Sequence, residues 1–185
     1  MKARDVARGS LTALPDALFV SALGTATSAL RHASSDGPHL YLGGAMGSAL
    51  AVALGVAEER IERTVVALLG DGELLMSANT LWSLATYRAD NLVAIVLTDG
   101  RYSITGGQPL GTDPRFAEVA HALPGLSGTR VATPDDLQRA LLELPRPALV
   151  EATTDEHEWP GPSPFVDPME VRIRFAAEAV RRAAR

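Results

Sequence analysis

The chain has 185 residues, a net charge of −5, and is 46% hydrophobic and 21% charged. That is enough apolar material for one buried core, and the acidic balance disfavours a nucleic-acid partner, which needs a basic face against phosphate. With no cysteine there is no disulfide, thiolate nucleophile or cysteine-held cluster, and the one lysine, Lys2, is poorly placed for a Schiff base or a phosphate loop.

In chain order, short apolar runs alternate with helix-period segments, the pattern of a parallel α/β sheet. Strands are predicted at residues 17–23, 40–42, 64–69, 92–98, 129–132 and 148–153. The runs at 64–69, 92–98 and 148–153 are nearly continuous in apolar residues, as in strands covered on both faces. Between them, Met46, Ala49, Leu50, Ala53, Leu54 and Ala57 form one helical stripe. Leu74, Ala78, Leu81, Trp82 and Ala85 form a second, which places Trp82 in the core. Asp113-Pro114 and Thr133-Pro134 each put a capping side chain before a proline at the first helical position. Asp167-Pro168-Met169-Glu170 does the same and adds a capping-box glutamate, opening a helix over 168–184 whose arginines 181, 182 and 185 suit its negative end. The proline-rich, acidic stretch 155–167 is expected to be irregular.

The whole chain, 1–185, therefore reads as a single three-layer, doubly wound α/β domain with helices on both faces of a mostly parallel sheet. No apolar run reaches the ~20 residues of a membrane span and no signal-peptide pattern is present, so no membrane association and a cytoplasmic location are expected. His32, His39, His121 and His157 lack metal-ligand spacing and read as surface or packing residues. Trp159, in the irregular stretch, is a candidate for packing on a partner.

In open α/β sheets, ligands sit outside the carboxyl ends of the strands. Four consecutive predicted strands end in small residues: Gly24-Thr25, then Gly43-Gly44-Ala45-Met46-Gly47, then Gly70-Asp71-Gly72, then Asp99-Gly100-Arg101. Small residues let a ligand approach the backbone, and helix N-termini after such turns attract phosphate. Asp71 and Asp99 would repel a bare phosphate. A magnesium ion between them resolves the conflict, because magnesium binds through one or two carboxylates together with substrate phosphates. Neither G-x-G-x-x-G nor G-x-x-x-x-G-K-[ST] occurs, so ordinary dinucleotide and nucleoside-triphosphate sites lack their signatures.

Gly70-Asp71-Gly72, followed 28 positions after Asp71 by Asp99 in Leu97-Thr98-Asp99-Gly100, resembles the signature of the thiamine-diphosphate enzymes. More narrowly, YLGGAMGSALAVALGVA (41–57) and YSITGGQP (102–109) are similar to the β subunit of sulfopyruvate decarboxylase and the matching half of phosphonopyruvate decarboxylase.

The resemblance implies a role for each matching position. Asp71, Asp99 and the carbonyl of Arg101 would hold Mg2+. Gly24, Thr25, Gly70, Gly72, Glu73, Ser103 and Ile104 would lie against the diphosphate of thiamine diphosphate. The carbonyl of Gly44 and the N–H of Met46, with Ala45 between them, would meet the aminopyrimidine, and the Met46 side chain would bend the cofactor. Thr105, Gln108 and Tyr102 would face the substrate. Arg101 either meets an anionic substituent of it or is a solvated loop arginine.

Two positions depart from the family: Asp99 stands where asparagine is usual, and Thr105 where a related branch carries a catalytic glutamate. The pyrimidine-binding domain of these enzymes has no counterpart in this sequence. The resemblance therefore implies a β-type subunit of a heteromeric 2-oxo acid decarboxylase (a lyase), completed by a separate pyrimidine-binding α subunit and acting on a small 2-oxo acid. A carboligase or synthase subunit and a non-catalytic stabilising α/β subunit are the alternatives.

Overall fold

Val65–Gly70 (β3), Leu92–Thr98 (β4) and Ala148–Thr153 (β8) lie side by side at the centre of one sheet. Their side chains alternate between two apolar layers, which is why the sequence there is hydrophobic at nearly every position. Val65, Ala67, Leu69, Leu92, Ala94 and Val96 pack with Leu50, Ala53 and Leu54 on one face. Val66, Leu68, Val93, Ile95, Val150 and Ala152 pack with Val6, Leu30, Leu137 and Leu141 on the other. Each fully buried leucine or isoleucine contributes roughly 1.5–3 kcal/mol over its exposed state.

This computed structural model describes residues 1–35, 37–155 and 166–181. The remaining elements are α1 (Ala3–Ala13), β1 (Leu18–Ser21), α2 (Gly24–Ala33), β2 (Leu40–Tyr41), α3 (Ala49–Glu59), α4 (Asp71–Met76) and α5 (Thr80–Tyr87). After β4 come β5 (Arg101–Tyr102), a 3-10 turn (Ser103–Thr105), β6 (Gln108–Pro109), α6 (Phe116–Ala122), β7 (Ser127–Val131), α7 (Pro134–Glu143) and α8 (Pro168–Ala179). The six-stranded sheet has the order β2-β1-β3-β4-β8-β7, and every pair in it is parallel. α3, α5 and α6 cover one face; α1, α2 and α7 cover the other. α8 contributes Val171 to one layer and Phe175 and Ala179 to the other, and it packs on β2, so it shields that edge of the sheet.

The strand order reverses between β1 and β3. β1 leads outward to β2, whereas β3 leads the opposite way to β4. A crevice opens at the carboxyl ends of strands where connections diverge in this way.

All six predicted strands are present, with β4 and β8 at the predicted bounds. Several expectations are corrected. The second helical stripe is two helices, α4 and α5, separated at residues 77–79. Trp82 is 54% exposed, because in the restarted helix Leu81 and Leu84 take the inward face and Trp82 lies a third of a turn away. The helix expected at Pro114 starts at Phe116: the Asp113 carboxylate accepts from the N–H of Arg115 (3.2 Å), and Arg115 is left-handed (φ 49°).

Two caps form as predicted. Thr133 Oγ1 accepts from the N–H of Asp136, and Asp167 Oδ1 from those of Met169 and Glu170. Glu170 pairs instead with Arg174 (2.6 Å), so the capping box is half made. α8 ends at Ala179, and Arg181, just beyond it, pairs with Glu178. His157, Trp159, Arg182 and Arg185 lie outside the described residues. The helix α1 and the β5–β6 hairpin are additions to the predicted set.

Candidate functional site

The turn after β3 follows from the sequence Gly70-Asp71-Gly72. Gly70 is extended and acts as the N-cap of α4, so Asp71 opens that helix with its carboxylate turned back toward the end of β4. Asp71 Oδ1 accepts from the N–H of Gly72 (2.6 Å), and Oδ2 accepts from the N–H groups of Asp99 (3.1 Å) and Gly100 (2.8 Å). The side chain is 2% exposed. Burial pushes its pKa up to about 6, against the opposing pull of the Gly100 and Gly72 N–H groups; the nearby Asp99 charge adds to the rise. Those N–H groups offset the burial only in part, and a cation would stabilise the two neighbouring carboxylates further.

Asp99 closes its own loop. Its Oδ1 accepts from the N–H of Arg101 (2.9 Å) and its Oδ2 from the hydroxyl of Ser103 (3.1 Å). The chain then forms the β5–β6 hairpin, where Thr105 Oγ1 donates to Gln108 Oε1 (2.8 Å) and Gln108 Nε2 to the carbonyl of Thr105 (2.7 Å). The Arg101 guanidinium donates to the Gly107 carbonyl (3.1 Å). Gly72 leaves room for the Tyr102 ring: a Cβ on it would come within 2.6 Å of the ring and force it to move.

The third wall is the start of α2. Gly24 is left-handed (φ +72°), and Ile104 sits 3.2 Å from where its Cβ would be. The residue before α2 is Leu23, which offers no side-chain cap, so the first-turn N–H groups of this ten-residue helix are free to receive an anion.

These walls line one cleft of about 140 Å³ that opens to solvent. Of the sequence-predicted residues, Gly24, Thr25, Met46, Gly70, Asp71, Gly72, Glu73, Asp99, Arg101, Tyr102, Ser103, Ile104 and Thr105 line it. Gly44, Ala45 and Gln108 do not. Gly44 and Ala45 lie two residues and one residue before Met46 on an exposed loop, and the amide of Gln108 is spent on Thr105. The Met46 N–H, expected to face a ligand ring, donates to the Gly44 carbonyl (2.9 Å), so the two atoms expected to flank that ring are bonded to each other.

Leu23, Ala26, Leu97 and Thr154 also line the cleft and were not predicted. Thr154 follows the carboxyl end of β8, so the same rule that found Gly70 and Asp99 reaches it. Leu23 and Leu97 lie inside apolar runs and carry no separate signal, and Ala26 directly follows the predicted Gly24-Thr25.

Among the described residues no three histidine, aspartate or glutamate side chains converge as a metal cage. Two neighbouring carboxylates, an uncapped helix N-terminus and a small-residue floor fit magnesium bound together with a diphosphate, since that ion takes oxygen donors and completes its shell from phosphate and water. No helix among the described residues is long and apolar enough to cross a membrane.

Residues 22–152 match the family described as thiamine pyrophosphate enzyme, C-terminal TPP binding domain. A phosphonopyruvate decarboxylase of Streptomyces viridochromogenes is 36% identical over 173 residues, covering 90% of this chain and 43% of the relative. The sulfopyruvate decarboxylase subunit beta of Methanothermobacter thermautotrophicus is 36% identical over 95 residues, 51% of either chain. Among solved structures, the thiamine diphosphate-dependent 4-hydroxybenzoylformate decarboxylase of Rhodococcus jostii RHA1 superposes with a TM-score of 0.67 at 25% identity, covering 85% of this chain and 33% of that one. The chain thus spans less than half the length of the phosphonopyruvate decarboxylase it matches, and those relatives are decarboxylases. With its sheet, its Gly-Asp-Gly turn and its match over residues 22–152, the chain belongs to the C-terminal, thiamine pyrophosphate-binding domain family of the thiamine pyrophosphate enzymes.

Proposed function

We propose that this chain is the diphosphate-binding half of a thiamine-diphosphate-dependent 2-oxo acid decarboxylase, of the sulfopyruvate or phosphonopyruvate type, and that a separate pyrimidine-binding α subunit completes its active site. The observation that carries the reading is the meeting, in one cleft, of the Asp71–Asp99 pair with the uncapped N-terminus of α2. A magnesium-bound diphosphate needs both: carboxylates for the metal and free N–H groups for the phosphate oxygens. The α subunit is inferred from the subunit naming of the Methanothermobacter relative.

When bound, thiamine diphosphate supplies the electron sink for loss of carbon dioxide from a 2-oxo acid. The protein's part is to hold and orient. Asp71, Asp99 and the Arg101 carbonyl would hold Mg2+, with Gly24, Thr25 and Ser103 against the diphosphate. Met46 stands at the cleft wall, where its side chain would bear on the cofactor's bridge. Thr105, held through Gln108, and Tyr102 line the cleft, where they would face a 2-oxo acid. Arg101 offers a guanidinium to an anionic substituent such as a sulfonate or phosphonate.

The test is Asp71→Ala in the assembled complex. Decarboxylation should fall at least a hundredfold while the complex keeps its mass. Unchanged activity would reject the reading in favour of a subunit that only stabilises its partner.

A further inference from the structure

The helix α8 is apolar on two sides. Val171, Phe175 and Ala179 are buried against the sheet. Met169, Ile173, Ala176 and Val180 are exposed, the three larger ones at 57%, 64% and 69%. At about 100° per residue these four fall within an arc of about 60°, centred about 130° round the helix from the buried face. A surface helix carries one apolar stripe facing its core, and a helix with a second stripe is one that packs on two sides. The exposed four also follow one another at steps of four, three and four, the a and d pattern of a helix–helix seam.

The seam stands on a fixed element. α8 packs on β2 at the edge of the sheet, and its last turn is held by Arg63, which donates to the carbonyls of Glu178 and Arg181 and pairs with the Glu178 carboxylate.

The spacing is its own complement. When a second α8 is turned end for end about an axis between residues 174 and 175, Ile173 meets Ala176 of the copy and Met169 meets Val180. Such a and d layers are those of antiparallel helices, and a two-fold axis repeats each of them. The charges agree. Glu170 and Arg181 lie on the same flank of the seam, paired within their own helix end with Arg174 and Glu178. In the antiparallel pair the Glu170 carboxylate comes level with the Arg181 guanidinium of the copy. Arg172, on the other flank, is staggered from its own copy by about five residues, or ~7.5 Å along the axis. A parallel pair would instead set Glu170 against Glu170 and Arg181 against Arg181.

We propose that Met169, Ile173, Ala176 and Val180 are a docking seam for a second copy of this chain, the two α8 helices pairing antiparallel about a two-fold axis. The seam shares no residue with the cleft, so the pair forms with both clefts open to other partners. A contact confined to this twelve-residue helix is smaller than the ~800 Å² per partner of a standard interface, so the pairing is weak and is read at up to ~500 µM protein.

Two measurements on the full chain test this. In sedimentation equilibrium the wild type should form a dimer as its concentration rises. Ile173→Glu, at an exposed position, should raise the dissociation constant at least tenfold while its melting temperature stays that of the wild-type monomer. A wild type that stays monomeric over the whole range would overturn the proposal and leave the seam to a partner of another kind. A dimer that Ile173→Glu does not weaken would overturn it in favour of another surface.

The second measurement reads the direction of the helices. The chain has no cysteine, so single cysteines placed on the seam report only the seam. Under mild oxidation, a mixture of Ile173→Cys and Ala176→Cys chains should give at least threefold more disulfide dimer than either variant alone. Cross-linking strongest in Ile173→Cys alone would mean parallel helices, and no cross-linking in any sample would mean that the seams do not meet; either result would overturn the proposed pairing.

Discussion

At the scale of single residues, Asp99 shows how one charge is set against another. It stands next to an already buried Asp71 whose pKa it helps to raise. A second carboxylate attracts a divalent cation and repels a diphosphate. Asp99→Asn should therefore raise the Mg2+ half-saturation several-fold while tightening diphosphate at saturating Mg2+, as read by calorimetry at two fixed metal concentrations. A change in the same direction for both ligands would show that Asp99 acts through loop structure rather than charge.

His39 offers a separate test in the core. It is 6% exposed, packed edge-on against Phe19 and Tyr41, with no partner for Nε2. Burial lowers its pKa from 6.5 to about 4, and the same burial raises that of Tyr41, against the pull of Arg31. The unfolded chain then binds a proton that the folded chain refuses between about pH 6.5 and pH 4. This contribution is complete above the unfolded pKa and is lost as the pH falls, to a total of about 3 kcal/mol. Urea unfolding of His39→Phe should show that much less loss of stability between pH 7.5 and pH 4 than the wild type. Equal slopes in the two proteins would sink the assignment.

At the scale of elements, contact between neighbours decides what single-strand patterns do not show. β4 and β8 were legible because burial on both faces writes itself as unbroken apolar sequence. The break between α4 and α5 was missed although Ser77 and Asn79 are cap and turn formers, because the apolar stripe runs through it; the 43–48 loop packing on Met76 and Ser77 adds a tertiary contact there. Trp82 was misplaced for the same reason, since a shift in phase after the break turns it outward. The β5–β6 hairpin has two residues per strand, too few for any period to register. The Arg63 side chain, 3% exposed, is likewise read only in three dimensions. It donates to the carbonyls of Asp16, Glu178 and Arg181 and pairs with Glu178 at 3.0 Å, which pins the end of α8 to the sheet.

Gly128 makes the element-level argument quantitative. α6 lies so close to β7 that a Cβ on Gly128 would fall 2.0 Å from the Ala117 carbonyl oxygen and 2.9 Å from its carbon. Backbone atoms in a packed helix cannot retreat as a side chain can. Gly128→Ala must therefore push α6 off the sheet, and it should cost about 3 kcal/mol or more, at the upper end of overpacking effects. Glu151, fully buried, would lose its bond to the Ala117 N–H in the same movement. Denaturant unfolding reads the cost, and a change below 1 kcal/mol would mean that the α6–β7 spacing is softer than described.

At the scale of the whole molecule, the reversal of strand order between β1 and β3 is what gathers the site. It places the uncapped N-terminus of α2 and the Asp71 turn across one crevice, although 46 positions separate Thr25 from Asp71 in sequence. The carboxylates and the helix end therefore act as one receptor only when the sheet is formed, so ligand binding must stabilise the fold. With Mg2+ in excess and thiamine diphosphate at 100 times its Kd, the gain is about 2.7 kcal/mol. For a chain of this size that is a rise in Tm of roughly 5–10 °C. The rise should vanish with a chelator, because without the metal the Asp71–Asp99 pair repels the diphosphate it otherwise helps to hold. Differential scanning fluorimetry in the four combinations of metal and cofactor reads this directly. An undiminished shift without metal would show that α2 alone supplies the diphosphate site, and that the two acidic residues serve the turn rather than a cation.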